Sequence, residues 1–210
     1  MTTSASVARR APVPAVLGLA ASIAAFAGLY AVAVCTTRGQ WWDQRLWWEL
    51  HAASPVAGRS VALTLSQITP ARCLLALGVI AALAVAQRRA LPALVGVACA
   101  AGTFVSAEVL KYTLVRPDLG VSHLTLNSFP SGHTGAIAAL AVAAVVALSR
   151  AGRVLVGLAA SLATAATGLG VVLAGWHRPS DAVASALVAV VWALVGLLVV
   201  HRLTPATMRA

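Results

Sequence analysis

Residues 181–200 read DAVASALVAVVWALVGLLVV, a run that carries no charge after its first residue. About 20 apolar residues in helical form cross a hydrocarbon core of about 30 Å. Lipid offers open backbone groups no partner, so such a run has to be a helix. Asp181 then stands at the mouth of that helix, closing the group His177-Arg178-Pro179-Ser180-Asp181. Reading outward, segments 13–35, 70–87, 91–112, 133–149 and 154–175 have the same character. The expectation is an all-α, six-span transmembrane bundle forming a single domain over residues 1–210.

Composition points the same way. The chain is 60% hydrophobic and 10% charged, whereas a soluble domain carries roughly 25% charged residues. The formal charge of +10 raises the question of nucleic acid, but the cations fall between apolar runs with no basic stripe interleaved with aromatics, which excludes that partner. Cys35, Cys73 and Cys99 lie in or beside apolar runs and read as small buried residues. The run beginning at Val13 is too long for the apolar core of a signal peptide and passes into Thr36-Thr37-Arg38 without a small-residue cleavage site, so it reads as a retained first span.

Alternation of six spans puts Arg9/Arg10, Arg88/Arg89, Arg150/Arg153 and Arg202/Arg209 on one side, predicted to be cytoplasmic together with both termini. Lys111, Arg116, His133, His177 and Asp181 gather on the opposite, outer face. The Ala, Val, Leu and Arg bias suggests a bacterial plasma membrane. Between the first two spans, residues 36–69 hold Trp41-Trp42-Asp43-Gln44-Arg45-Leu46-Trp47-Trp48-Glu49. This predicts a short helix at headgroup level with Arg45 and Glu49 paired one turn apart, serving as an aromatic anchor or guiding a lipid toward the site.

Asn127-Ser128-Phe129-Pro130-Ser131-Gly132-His133 precedes a helical run. Free amides at a helix start bind phosphate readily, and glycine lets the anion approach. His133 in the first turn is placed to donate a proton to a leaving oxygen. His177 and Asp181 share one helix face, so the carboxylate can orient the imidazole and leave its other nitrogen as a nucleophile. Read blandly, the same residues form a polar cap and a structural hydrogen bond. Lys111 and Arg116 suit an anion, arginine through a bidentate grip. Glu108 pairs with Lys111 or faces the bundle interior. A zinc site from His123, His133, His177 and Asp181 matches no ligand spacing, and Lys111, Arg116 and Arg178 would repel the ion, so neither metal nor organic cofactor is expected.

These residues resemble the type 2 phosphatidic acid phosphatase family, whose fold is shared with vanadium haloperoxidases. The family carries Lys-x6-Arg-Pro, Pro-Ser-Gly-His and Ser-Arg-x5-His-x3-Asp. Pro130-Ser131-Gly132-His133 matches the second motif in full, and His177 with Asp181 matches the end of the third. Arg116-Pro117 comes two residues early, with Asp118-Leu119 at the strict positions, and Gly170-Val171 occupies the Ser-Arg positions. Arg178 is the nearby substitute for that arginine. The resemblance implies that His177 attacks phosphorus to give a phosphohistidine and that Asp181 orients it. It further implies that His133 protonates the leaving group, and that Lys111 and the amides of Ser131 and Gly132 hold the phosphoryl oxygens. The implied substrate is a membrane lipid phosphate or a polyprenyl or other lipid diphosphate. The missing arginine leaves open a member that binds or transports lipid phosphates without cleaving them. A haloperoxidase is excluded, since those relatives are soluble. The sequence leaves room for a homo-oligomer.

Overall fold

Each apolar run forms a helix. The computed structural model describes residues 12–53, 55–121 and 127–204. Among them the helices are α1 (Val13–Leu29), α2 (Thr37–Ala53), α3 (Pro55–Leu65), α4 (Pro70–Ala86), α5 (Ala90–Thr113), α6 (Gly132–Ala147), α7 (Arg150–Leu173) and α8 (Pro179–Leu203). A π-helical turn, Tyr30–Val34, extends α1. The Thr69 hydroxyl caps α4 by accepting from Arg72 N–H at 3.4 Å, and Ser131 caps α6 by accepting from Thr134 N–H at 3.4 Å. Pro70 and Pro179 occupy first helical positions, where a missing N–H costs nothing.

Helix α6 runs through the middle, packed on α4, α5, α7 and α8. Its buried face is built from Gly135, Ala138, Ala139, Val142, Ala143 and Val146. Small residues let membrane helices approach closely and gain dispersion contact. Gly196 of α8 shows the limit: a Cβ there would lie 2.8 Å from a Val146 methyl and 2.9 Å from Cys99 Sγ. Of the cysteines, Cys99 is buried as expected, but Cys73 is half-buried and Cys35, just past the π-helical turn, is exposed.

The expected six runs are all helical, but their ability to cross a membrane differs. Four are long and apolar enough alone: Val13–Val34, Ala90–Thr113, Gly152–Leu173 and Pro179–Leu203. A fifth arises if α3 and α4, bent by 63° at their junction, act as one span. Helix α6 is shorter, at 16 residues, because it starts from the polar Ser131-Gly132-His133 turn.

The segment between the first two runs holds two helices, α2 and α3, rather than one. The Arg45–Glu49 pair forms, at 2.7 Å. Helix α2 is polar inward and aromatic outward: Gln40, Asp43 and Gln44 are buried, while Trp41, Trp42 and Trp48 are exposed. The i, i+3, i+4 spacing puts those three polar residues on one face. His51, near the end of α2, sits 2.8 Å from the Leu173 carbonyl and stacks on Trp47. That contact docks α2 on the end of α7.

Candidate active site

Two turns and one loop converge where α2, α5, α6, α7 and α8 meet. The first turn leaves α7 through Gly175, at φ +78°, a left-handed position that suits glycine at a helix C-terminus. A Cβ there would also lie 2.8 Å from the His51 ring. The Val171 carbonyl receives the N–H groups of Trp176, at 2.9 Å, and His177, at 3.2 Å, which aims the turn at α8.

Asp181, in the first turn of α8, is fully buried and gathers the surrounding donors. Its Oδ2 accepts from Ser128 Oγ at 2.5 Å and from Arg178 N–H at 3.1 Å, and lies 3.3 Å from His177 Nδ1. Its Oδ1 accepts from Arg116 Nη2 at 2.9 Å. The expected His177–Asp181 pair is therefore present, with Nδ1 toward the carboxylate and Nε2 left for chemistry.

The second turn starts α6. Its cis Phe129–Pro130 bond and buried Phe129 ring sit against Phe26 and Tyr30, with ring centroids 5.6 and 5.7 Å apart. The Ser131 amide, expected to face phosphate, instead donates to the Asp181 carbonyl at 3.0 Å, and the Ser131 carbonyl accepts from Ser185 Oγ at 2.7 Å. Ser131 thus welds α6 to α8, because its position brings it under the turn rather than at the open mouth. Gly132 is the other residue expected to hold phosphate. It is the first residue of α6, where amides have no partner within the helix. A Cβ on Gly132 would come within 3.4 Å of Lys111 Nζ and 3.7 Å of Glu108, and those two side chains pair at 3.5 Å. His133 follows, its ring 5.0 Å from that of Trp176 and near enough to His177 and Lys111 to interact with their charges.

The loop after α5 delivers Arg116. It is held by Tyr30 Oη on the Val115 carbonyl at 2.7 Å, by Gln40 on the Pro117 carbonyl at 2.8 Å, and by Asn127, whose amide donates to the carbonyls of Lys111 and Leu114. Arg116, expected on the phosphate, is buried against Asp181, with Asp43 Oδ2 at 3.8 Å on its other side. Asp118 is exposed and accepts from Gly120 N–H at 3.0 Å, so it caps a turn instead of opposing the anion. Arg178 is buried too, with Nε donating to Gln44 at 2.9 Å. Arg116 turns inward to Asp181 of α8, with Asp43 of α2 nearby, and Arg178 turns inward to Gln44 of α2.

Chain order concealed part of this arrangement. Asp43 accepts from Ser180 N–H at 2.9 Å and Ser180 Oγ at 2.6 Å, and Gln44 holds Arg178. Burial pushes the Asp43 carboxyl above its ordinary range; the Ser180 hydrogen bonds pull against that, Asp181 adds to the rise and Arg116 opposes it. Burial likewise presses Arg178 below its ordinary range, helped by the like charge of Arg116 and opposed by Asp181 and Asp43. The polar stripe Gln40, Asp43, Gln44 within a tryptophan-rich stretch is the signal that marks α2 as part of the site. His123 lies outside the described residues. Among the described residues no three His, Cys, Asp or Glu side chains group as metal ligands.

Residues 72–205 match the profile of the PAP2 superfamily. The chain belongs to the PAP2 superfamily. Comparison with curated proteins and with solved structures returned no match. The PAP2 match takes in α5 through α8 and every candidate residue from Lys111 to Asp181, while α2, with Asp43 and Gln44, lies before it. PAP2 members are typically phosphatases or other hydrolases, and the apolar helices suit a membrane phosphatase.

Proposed function

We propose that this PAP2 protein is an integral membrane phosphatase that hydrolyses a lipid phosphate or diphosphate through a phosphohistidine. The observation that carries this reading is the His177–Asp181 contact at 3.3 Å beside His133, Lys111 and the open start of α6. In the first step His177 Nε2 attacks phosphorus and the bond to the leaving oxygen breaks, with His133 supplying the proton. In the second, water attacks the phosphohistidine, His133 takes its proton, and inorganic phosphate leaves with His177 restored. Lys111 and the amides of Gly132 and His133 offset charge on the phosphoryl oxygens. Asp181 fixes the imidazole tautomer and steadies its positive charge.

A lipid substrate is favoured by an apolar groove of about 700 Å³ between α7 and α8, floored by α6. Thr134 and Pro179, neighbours of His133 and Arg178, line it, and it continues past Ala165, Ala186 and Val190. Six crossings, with the site at the outer face and both termini in the cytoplasm, remain the topology that best fits the distribution of cations.

Phosphate release from phosphatidate, phosphatidylglycerol phosphate and polyprenyl diphosphates by purified protein tests the reading, with His133→Ala and His177→Ala as controls. Release abolished in both variants is expected, with an acid-labile phosphoprotein trapped in wild type. No release from any of these lipids, or release unchanged in His177→Ala, refutes it.

A further inference from the structure

Arg116 reaches the site from an unusual register, and its surroundings give it a different task from phosphate binding. Its side chain is 4% exposed. Nη2 is spent on Asp181, Nη1 faces Asp43, and the buried Nε has no hydrogen-bond partner among the described residues. The backbone on both sides of it is pinned by Tyr30, Gln40 and Asn127. To reach a phosphate at the mouth, the guanidinium would have to abandon a fully buried carboxylate, and stranding such a charge is strongly unfavourable. Meanwhile Asp43 shares Arg116 with Asp181 and grips the start of α8 through Ser180. A continuous polar chain thus runs Asp43–Arg116–Asp181–His177, from the tryptophan-rich helix to the nucleophile.

We propose that Arg116 is a positioning residue for the His177–Asp181 pair, and that Asp43 of α2 sets how much of the Arg116 charge reaches that pair. Phosphate is then held by Lys111 and the first amides of α6. This rests on the phosphatase reading above. The charged and titratable groups facing the His177–Asp181 pair are Arg178 from the turn before α8, Arg116 from the loop after α5, Asp43 from α2 and His133 from α6. Because Asp43 and Asp181 share one guanidinium, removing the Arg116 charge and removing the Asp43 charge act in opposite directions. Loss of the Arg116 charge strengthens the negative field at the pair and moves the acid limb of kcat/KM to higher pH. Loss of the Asp43 charge leaves Arg116 wholly to Asp181 and moves the limb to lower pH.

The test compares Arg116→Gln, Arg116→Lys, Asp43→Asn and Lys111→Ala in detergent-purified full-length protein. It uses kcat/KM against pH with the best substrate, and a phosphorus NMR titration with inorganic phosphate. Arg116→Gln is expected to lower kcat at least tenfold, raise the acid limb, and leave the phosphate Kd within about twofold. Arg116→Lys, which keeps the charge, restores the limb. Asp43→Asn, which keeps an acceptor for Ser180, lowers it. Lys111→Ala weakens phosphate about tenfold. A phosphate Kd raised tenfold in Arg116→Gln with a fixed acid limb overturns the proposal in favour of a clamp, as do limbs moving the same way in Arg116→Gln and Asp43→Asn. If wild type hydrolyses no ester, the phosphatase reading fails, and the phosphate titration still separates a positioning arginine from a clamp. Absence of phosphate binding as well overturns both.

Discussion

Asp181→Asn separates two roles that meet in one carboxylate. The side chain is fully buried and receives Arg116 at 2.9 Å, Ser128 at 2.5 Å and the Arg178 amide at 3.1 Å, whereas His177 Nδ1 is the farthest of its partners at 3.3 Å. An amide in its place keeps the shape but removes the charge and turns one acceptor into a donor. Breaking a buried ion pair by neutralising one partner costs about 3–5 kcal/mol, because the other charge is left uncompensated. Asp43, 3.8 Å from Arg116, absorbs part of that loss and places the expectation near the lower figure. For a chain of this size about 3 kcal/mol lowers Tm by roughly 6–12 °C. His177→Ala breaks only the longest contact, on a ring at the mouth, and should lower Tm by no more than about 3 °C. Both variants should lose at least 1000-fold in kcat, since a misdirected imidazole is nearly as poor a nucleophile as none. Thermal unfolding in detergent alongside a phosphate-release assay reads both quantities. Equal stability losses in the two variants, or an Asp181→Asn protein as stable as wild type, would refute the description of Asp181 as the hub of the site.

Three further substitutions probe neighbouring features. Gly132→Ala introduces a methyl 3.4 Å from Lys111 Nζ; it should weaken phosphate binding about tenfold, the value of one hydrogen bond to a charged group, while Tm moves little. An unchanged Kd would remove Gly132 from the anion site. Ala186→Phe fills the groove between α7 and α8. It should raise KM several-fold for a long-chain lipid phosphate and leave a short water-soluble phosphate ester unaffected, and equal effects on both would show that the groove does not hold the chain. Val171→Arg restores the motif residue but buries its charge beside Leu65 and Ala182, so expression and Tm should fall without a gain in activity. A more active, equally stable protein would contradict the packing described for α7.

The helices were legible because burial in lipid demands long apolar runs. The run predicted at 91–112 is α5, Ala90–Thr113, and the one at 181–200 lies within α8, Pro179–Leu203. Helix α7 starts at Arg150, four residues before the predicted run 154–175, and Arg153 Nε donates to the Val145 carbonyl at 2.9 Å in that added turn. The His177–Asp181 contact was legible, but His177 lies in the turn ahead of α8 rather than on a shared helix face, so the turn and not helical spacing brings them together. The contacts of Ser131 and Arg116 were not legible, because what they touch lies far along the chain. The Ser131 amide meets the Asp181 carbonyl, and Arg116 meets an aspartate 65 residues on. The inward face of α2 was masked by its tryptophans, which pointed to an anchor and drew attention from the acceptors between them.

The two departures from the family motifs have a common structural setting. The side chain at position 171 packs with Leu65 and Ala182, on the side where α3 lies against α7. An arginine there would have to cross an apolar cluster to reach the site, and the van der Waals contact now made by Val171 would be lost with it. Arg116, displaced two residues toward Lys111, instead enters beneath α6, where the buried face of α2 supplies Asp43 as its second partner. Position 118, which the motif assigns to arginine, is exposed, so a cation there would not share this pocket without a different loop path. A site supported from α2 therefore accommodates both a valine at 171 and an early arginine at 116. On the proposed reading, that support couples His177 to a helix whose outward face carries exposed tryptophans. Disturbing Gln40, Asp43 or Gln44 should alter turnover although none of them faces the mouth, whereas changing the exposed Trp41 or Trp48 should act only through the membrane.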